Sequence, residues 1–237
     1  MTDGPAGNAP RPGRPTATVR RFGTAQQGAS QLRILAISGS LRQDSFNTRL
    51  LRALPPLAPE GMEIEFFDGL GEVPLYNQDL DVADCPEPVR RLRTAIAEAD
   101  GLIIASPEYN GSIPGVLKNA IDWASRPMAT SALLGKCVVT MVATPGRGLG
   151  RNALTDLGRV LHGCHAFVIS GPWVHLSEAP AKMEDAEGED GEATTVLTDP
   201  MTRRLVDIQL TSLQQAVKEE AGRHAVVPLL PFIQPRR

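Results

Sequence analysis

The chain has 237 residues, a formal net charge of −3, and 42% hydrophobic and 22% charged residues. That length supports one domain with a substantial core plus tails, and that balance is ordinary for a soluble globular protein. The near-neutral charge argues against a nucleic-acid or membrane surface, and no apolar run approaches the roughly 20 residues a membrane helix needs.

In chain order, residues 1–31 come first, rich in Pro, Gly, Ala and Thr, with four arginines and a single acid, Asp3. This composition predicts a disordered N-terminal tail. A transit peptide fits the Arg-rich, acid-poor character but not the single serine and the prolines. Beyond it, strand-like and helix-like segments alternate. Leu32 to Ser38 is apolar apart from Arg33, and Ser45 to Leu57 carries Leu50, Leu51 and Leu54 at helical spacing. Met62 to Phe67 alternates, with Met62, Ile64 and Phe66 on one face and Glu63 and Glu65 on the other. Val89, Leu92, Ile96 and Ala99 form a helical stripe, and Gly101 to Ser106 is apolar. Pro114 to Ser125 is helical, with Pro114 in a first-turn position. Cys137 to Ala143 is apolar except for Thr140, Leu154, Leu157 and Leu161 mark a helix stopped at Gly163, and Ala166 to Ile169 is apolar again. Asp199-Pro200 reads as a cap and first turn, with the final helix over Leu205 to Gly222.

This alternation predicts an α/β domain over residues 32–222, a doubly wound five-stranded parallel sheet with helices on both faces. Continuous apolar strands are covered on both faces, and only the second strand, 62–67, has a polar face. The order 2-1-3-4-5 makes that strand an edge, whereas 3-2-1-4-5-6 buries it, so the former is predicted. Two stretches lie outside this frame. Residues 177–198 hold Glu178, Glu184, Asp185, Glu187, Glu189, Asp190 and Glu192 and read as a solvated loop. A calcium loop fits poorly, because Asp190 fills the turn-glycine position and the closing glutamate is missing. Residues 223–237, with Val226, Val227, Leu229, Leu230, Phe232 and Ile233 between prolines, are too apolar to float and are expected to pack on this chain or a neighbour.

In a doubly wound sheet, ligands bind beyond the carboxyl ends of the strands where the order reverses. The loop after the first strand, Ser38-Gly-Ser-Leu-Arg-Gln-Asp-Ser-Phe-Asn47, is neither G-x-G-x-x-G nor a Walker loop. It is a hydroxyl-rich loop with one arginine at a helix start, where backbone N–H groups and the helix dipole favour a phosphate. Ser40, Ser45 and Asn47 can add neutral hydrogen bonds and Arg42 a charged one, although Ser45 is also a plain helix cap. The loop after the third strand runs Pro107-Glu108-Tyr109-Asn110-Gly111-Ser112-Ile113-Pro114, with prolines stiffening both ends. Its backbone amides can meet the polar edge of a flat ring, with Tyr109 packed beside it. The loop after the fourth strand, Thr144-Pro-Gly-Arg-Gly-Leu-Gly150, lets a backbone come close to a ligand.

Together these segments strongly resemble the NADPH-dependent FMN reductase family, which includes chromate and quinone reductases and some azoreductases. The resemblance covers roughly residues 32–175. It rests on Ser38-Gly-Ser-Leu-Arg-x-x-Ser-x-Asn47 and Pro107-Glu-Tyr-Asn-x-Ser-x-Pro-Gly-x-Leu-Lys-Asn-Ala-Ile-Asp-Trp123. It implies a flavodoxin-like fold, noncovalent FMN, NAD(P)H as co-substrate and oligomeric assembly. Carried over by position, Ser40, Arg42, Ser45 and Asn47 hold the phosphate. Pro107, Glu108, Tyr109 and Asn110 line the isoalloxazine, with Thr144 and Gly146 on its other flank. The family's fourth loop often carries a Gly-Gly pair; here Gly150 is followed by Arg151.

The chemistry then belongs to the flavin, and no catalytic side chain is expected. Gly39-Ser40 is not a G-x-S-x-G elbow. The expected activity is ping-pong hydride transfer from NAD(P)H to a small-molecule acceptor, which is a quinone, flavin, azo dye or metal oxyanion. The rival is a flavodoxin-like electron carrier, disfavoured because aromatics are only 4% of the chain and the charge is near balance. His162, His165, His175 and His224 show no metal-ligand spacing, so no metal is expected. Cys85, Cys137 and Cys164 form no C-x-x-C pair and fit a reducing compartment such as the cytoplasm. Finally, Val116, Leu117, Ala120, Ile121, Trp123 and Ala124 cover an arc of roughly 160° on one helix, wider than the ~100° stripe that packing on one sheet requires. The excess, with Trp123 at its margin, predicts a homodimer or a pair of dimers. The loop Pro74-Leu-Tyr-Asn77 offers further apolar groups and resembles a family segment near the subunit contact.

Overall fold

The computed structural model describes residues 20–22, 31–148, 150–188, 191 and 193–233. The parallel strands are β2 (Leu32–Ser38), β3 (Met62–Phe67), β4 (Gly101–Ala105) and β5 (Cys137–Ala143), with two short strands, β6 (Phe167–Val168) and β7 (Val174–Leu176). The sheet order is β3-β2-β4-β5-β6, with β7 also on β5, which is the predicted 2-1-3-4-5 arrangement. Between them run α1 (Phe46–Arg52), α2 (Glu87–Glu98), α3 (Gly115–Ala124), α4 (Arg151–Gly163) and α5 (Pro200–Lys218).

The period-2 alternation of the strands divides the core. Ile34, Ala36, Ile103, Val139 and Met141 face one side, packed with Leu50 and Leu51 of α1 and Val206, Leu210 and Leu213 of α5. Leu35, Ile37, Leu102, Ile104 and Val138 face the other, under Leu92 and Ile96 of α2, Leu117 and Ile121 of α3, and Leu157 and Leu161 of α4. Both faces are covered, as continuous apolar strands require.

Several expectations need correction. The segment 62–67 is not the outermost strand, because β1 (Arg20–Phe22), inside the stretch read as a disordered tail, pairs antiparallel with it from Arg20↔Phe66 to Phe22↔Ile64. Three residues are too few to carry a periodic signal. The remainder of the expected tail, 1–19 and 23–30, lies outside the described residues. Glu65, expected on a solvated face, is buried and accepts from Arg33 Nε at 3.2 Å and Nη2 at 3.1 Å.

The fifth strand is broken in two by Gly171-Pro172, since proline has no N–H to give the ladder. The acidic stretch is not a free loop but a hairpin of β8 (Met183–Glu187) and β9 (Ala193–Leu197), in register from Met183↔Leu197. Met183, Thr195 and Leu197 are buried, Thr194 Oγ1 donates to Arg52 O at 3.0 Å, and Arg49 pairs with Asp185 at 2.9 Å. The final helix is capped where expected, Asp199 Oδ2 accepting from Thr202 N at 2.8 Å with Pro200 as its first residue. It ends at Lys218, and a separate α6 (Ala221–Val226) and α7 (Leu230–Ile233) follow. A Cβ on Gly222 would lie 1.9 Å from Gly135 O, so α6 docks backbone to backbone on the turn before β5. Val226 is buried there, while Val227 and Phe232 are exposed.

Candidate functional site

The loops after β2, β4 and β5 meet at the carboxyl ends of the strands. In the first, Ser45 Oγ caps α1 by accepting from Thr48 N, and Ser40 Oγ accepts from Arg42 N at 3.3 Å. The backbone N–H groups of Phe46 and Asn47, at the start of α1, have no acceptor among the described residues. Arg42 is exposed, with its guanidinium 5.5 Å from the centre of the Phe46 ring and no acidic partner among the described residues. Orphan amides, two hydroxyls and an uncommitted guanidinium are a donor set that fits a phosphate monoester. Asn47 differs from the other three. It is 2% exposed, its Nδ2 donates to Ala143 O at 3.0 Å, and its Oδ1 accepts from Ala143 N at 2.9 Å. Its side chain ties the start of α1 to the end of β5 instead of facing the loop surface.

After β4, Tyr109 and Ser112 exchange backbone hydrogen bonds of 2.9 and 3.1 Å across a two-residue turn. Asn110 at φ 53° and Gly111 at φ 78° are both left-handed, the geometry that an Asn-Gly pair accepts most readily. Tyr109, 49% exposed, stands at the rim beside Pro107 and the exposed Asn110. Glu108 does not present its carboxylate to that rim. Its Oε2 accepts from Gly150 N at 2.9 Å, Asn152 N at 3.0 Å and Ala153 N at 3.4 Å, and its Oε1 from Asn152 Nδ2 at 3.2 Å.

After β5, Thr144 pairs with the strand end next to it, its N–H donating to Leu176 O at 2.9 Å and its C=O accepting from Ala179 N at 3.0 Å. Thr144 Oγ1 accepts from Gly146 N at 3.4 Å, curling the loop over itself. Gly150 has φ 100°, and a Cβ there would lie 2.6 Å from Val142 Cγ2, so only glycine starts α4 at this spot. Arg147 pairs with Glu178 at 2.7 Å, which holds its guanidinium pKa up. Burial pushes the Cys137 and Cys164 thiols up, so neither is a thiolate near neutrality. No cluster of three metal-ligating side chains occurs among the described residues.

Sequence reasoning placed the three loops but missed what holds them. Asn119, inside the second motif, accepts from Tyr76 N at 2.7 Å and donates to Pro74 O at 2.8 Å, pinning the loop 73–77. Trp123 was expected at the margin of a subunit contact. It is instead fully buried in its own chain, with Nε1 donating to Pro74 O at 2.8 Å and its ring edge-on to Tyr76 at 4.8 Å. The wide apolar arc of α3 is therefore covered from two sides, by the sheet and by the 70–77 loop. Asn152 and Ser112 fasten the loop after β4 to α4; Ser112 stood in the second motif without its partner Asp156, and Asn152 carried no signal beyond being polar.

A profile of the family described as NADPH-dependent FMN reductase matches residues 32–181. An NAD(P)H-dependent FMN reductase of Pseudomonas aeruginosa is 39% identical over 82% of this chain and 100% of its own length. A 2-hydroxy-1,4-benzoquinone reductase of a Burkholderia species is 48% identical over 52% of this chain and 68% of its own length. Quinone reductase of Escherichia coli is 37% identical over 68% of this chain and 86% of its own. Among solved structures, the flavoenzyme NAD(P)H:(acceptor) oxidoreductase FerB of Paracoccus denitrificans superposes with a TM-score of 0.68 at 31% identity, over 80% of this chain and 98% of its own. The family profile over residues 32–181 and the 39%-identical relative matched over its whole length place the chain in the NADPH-dependent FMN reductase family.

Proposed function

We propose that this protein is an FMN-dependent NAD(P)H oxidoreductase that delivers two electrons to a quinone in ping-pong order. The net reaction converts NAD(P)H, a proton and a quinone to NAD(P)+ and a hydroquinone. The observation that carries this reading is the convergence, at one end of the sheet, of an arginine-flanked helix start whose Phe46 and Asn47 amides have no acceptor among the described residues with the turn after β4 and the glycine-rich loop after β5. FMN, held noncovalently, supplies the hydride-accepting and hydride-donating chemistry when bound. The chain binds and orients it. Ser40, Arg42, Ser45 and the Phe46 and Asn47 amides serve the phosphate, the backbone of Pro107 to Asn110 serves the ring edge, and Thr144 and Gly146 flank the opposite side. Tyr109 supplies an apolar wall at the rim. Quinone as the acceptor class rests on the names of the Burkholderia and E. coli relatives. A flavodoxin-like carrier is the second reading, and the low aromatic content and near-balanced charge speak against it.

The purified protein is expected to release FMN on denaturation. Rapid mixing with NADPH or NADH is expected to bleach the flavin absorbance, and a benzoquinone to restore it. Protein that carries FMN but is reduced by neither nucleotide overturns the enzyme in favour of the carrier. Arg42→Ala is expected to weaken FMN binding about ten- to a hundred-fold, the size of one charged hydrogen bond. Unchanged affinity moves the phosphate elsewhere.

No helix among the described residues is long and apolar enough to cross a membrane, and the proposed setting is the cytoplasm. The proposed working unit is a homodimer or a pair of dimers. With Trp123 internal, its support is the 83%-exposed Leu75 on the loop that Asn119 pins. Light scattering tests it: a monomer at micromolar concentration with full FMN and turnover ends this part of the proposal.

A further inference from the structure

The N-cap of α4 is Gly150, which has no side chain with which to cap its own helix. A helix start leaves several backbone N–H groups without partners, and an anion there is favoured by both hydrogen bonding and the dipole. The anion is Glu108, 42 residues upstream, whose carboxylate takes the N–H groups of Gly150, Asn152 and Ala153 and the amide of Asn152. One turn along α4, Asp156 Oδ2 accepts from Ser112 Oγ at 2.6 Å. The left-handed turn at Asn110 and Gly111 is therefore fastened to α4 on both sides, by Glu108 before it and Ser112 after it.

We propose that Glu108 is a positioning residue that latches the loop after β4 to the loop after β5, setting the width of the slot between them. The inference rests on the reading of that slot as the flavin ring site. It changes the role given to Glu108 from ring contact to spacer. Its carboxylate acts through Gly150 and Asn152, and only the backbone beside it is left for the cofactor. An ionised group suits the task because three N–H donors converge on one oxygen, more than a neutral carbonyl satisfies well.

The test uses the full chain as apoprotein, with Glu108→Ala, Glu108→Gln, Asn152→Ala and the Glu108→Ala/Asn152→Ala pair. Two quantities are read: amide hydrogen exchange at 150, 152 and 153, and FMN affinity by fluorescence quenching. Glu108→Ala is expected to speed exchange at those amides and to weaken FMN about ten- to a hundred-fold. Glu108→Gln, which keeps one acceptor oxygen but not the charge, is expected to fall between the parent and Glu108→Ala. The double variant is expected to cost less than the sum of the singles, because the two side chains share one network. The visible band of any FMN still bound to Glu108→Ala is expected to differ in shape from that of FMN bound to the parent protein, a change that a purely structural loss of stability does not produce. Should Glu108→Ala fail to fold, Glu108→Gln and Asn152→Ala carry the same comparison. Parent affinity in Glu108→Ala, or unchanged exchange at 150–153, overturns the latch. If the parent itself binds no FMN, the ring-site reading fails, and the exchange measurement still decides whether the two loops are latched.

Discussion

Asn47→Ala is expected to destabilise the fold by about 2–5 kcal/mol, because it strands both backbone polar groups of one buried residue. The Ala143 N–H and C=O are each bonded by the Asn47 amide, at 2.9 and 3.0 Å, at the end of a strand whose seven residues are all buried. Neither group has water to turn to once the amide is gone. At roughly 2–4 °C per kcal/mol for a chain of this size, the midpoint of thermal unfolding is expected to fall by about 4–20 °C. FMN affinity is expected to fall with it, since the start of α1 loses its tie to β5. A loss below about 1 kcal/mol means that the strand end finds other partners, and the clasp is then incidental.

Trp123→Ala is expected to cost about 3–5 kcal/mol, the range for emptying a large aromatic site in a core. The ring is fully buried, meets Tyr76 edge-on, and lies 5.6 Å from the Arg93 guanidinium, whose Nε donates to Trp123 O at 2.9 Å. Trp123→Phe separates the two contributions of the side chain. It keeps most of the volume and loses only the indole N–H, and Pro74 O retains Asn119 Nδ2 at 2.8 Å as donor. Its expected cost is about 1 kcal/mol. Chemical denaturation of the two variants checks this. Equal costs mean that the hydrogen bond, and not the packing, dominates. Trp123→Glu is expected to unfold the chain before it affects any assembly, because it buries a charge without a partner.

The sheet was legible because its signals are local. Leu35, Leu102 and Val138 stand in continuous apolar runs, and such runs become strands covered on both faces. The loops were legible for the same reason, since a helix start and an Asn-Gly turn are decided by neighbours in the chain. The partners of those loops were not. Asn47 meets Ala143 across 96 positions, and Glu108 meets Gly150 across 42, and no periodicity registers a pairing at that distance. Polarity also misled. The acidic composition of 183–197 hid a hairpin whose only strong cues are Met183, Thr195 and Leu197, and Glu65 looked solvated although Arg33 neutralises it. On α3, counting apolar positions gave the arc correctly but not what covers it, because Pro74 reaches the helix from 49 residues away.

The two ends of the sheet bear on how copies of this chain can meet. An exposed strand with free N–H and C=O groups is a template onto which another chain can add. On one side β1 occupies the outer edge of β3, leaving only a three-residue strand facing outward. On the other, β5 is flanked by two fragments of two and three residues, separated at Gly171-Pro172. Among the described residues, neither border of this sheet offers a ladder long enough to seed intermolecular strand pairing. At these two borders association between copies is thereby steered away from strand addition, and edge-to-edge growth of this sheet is disfavoured.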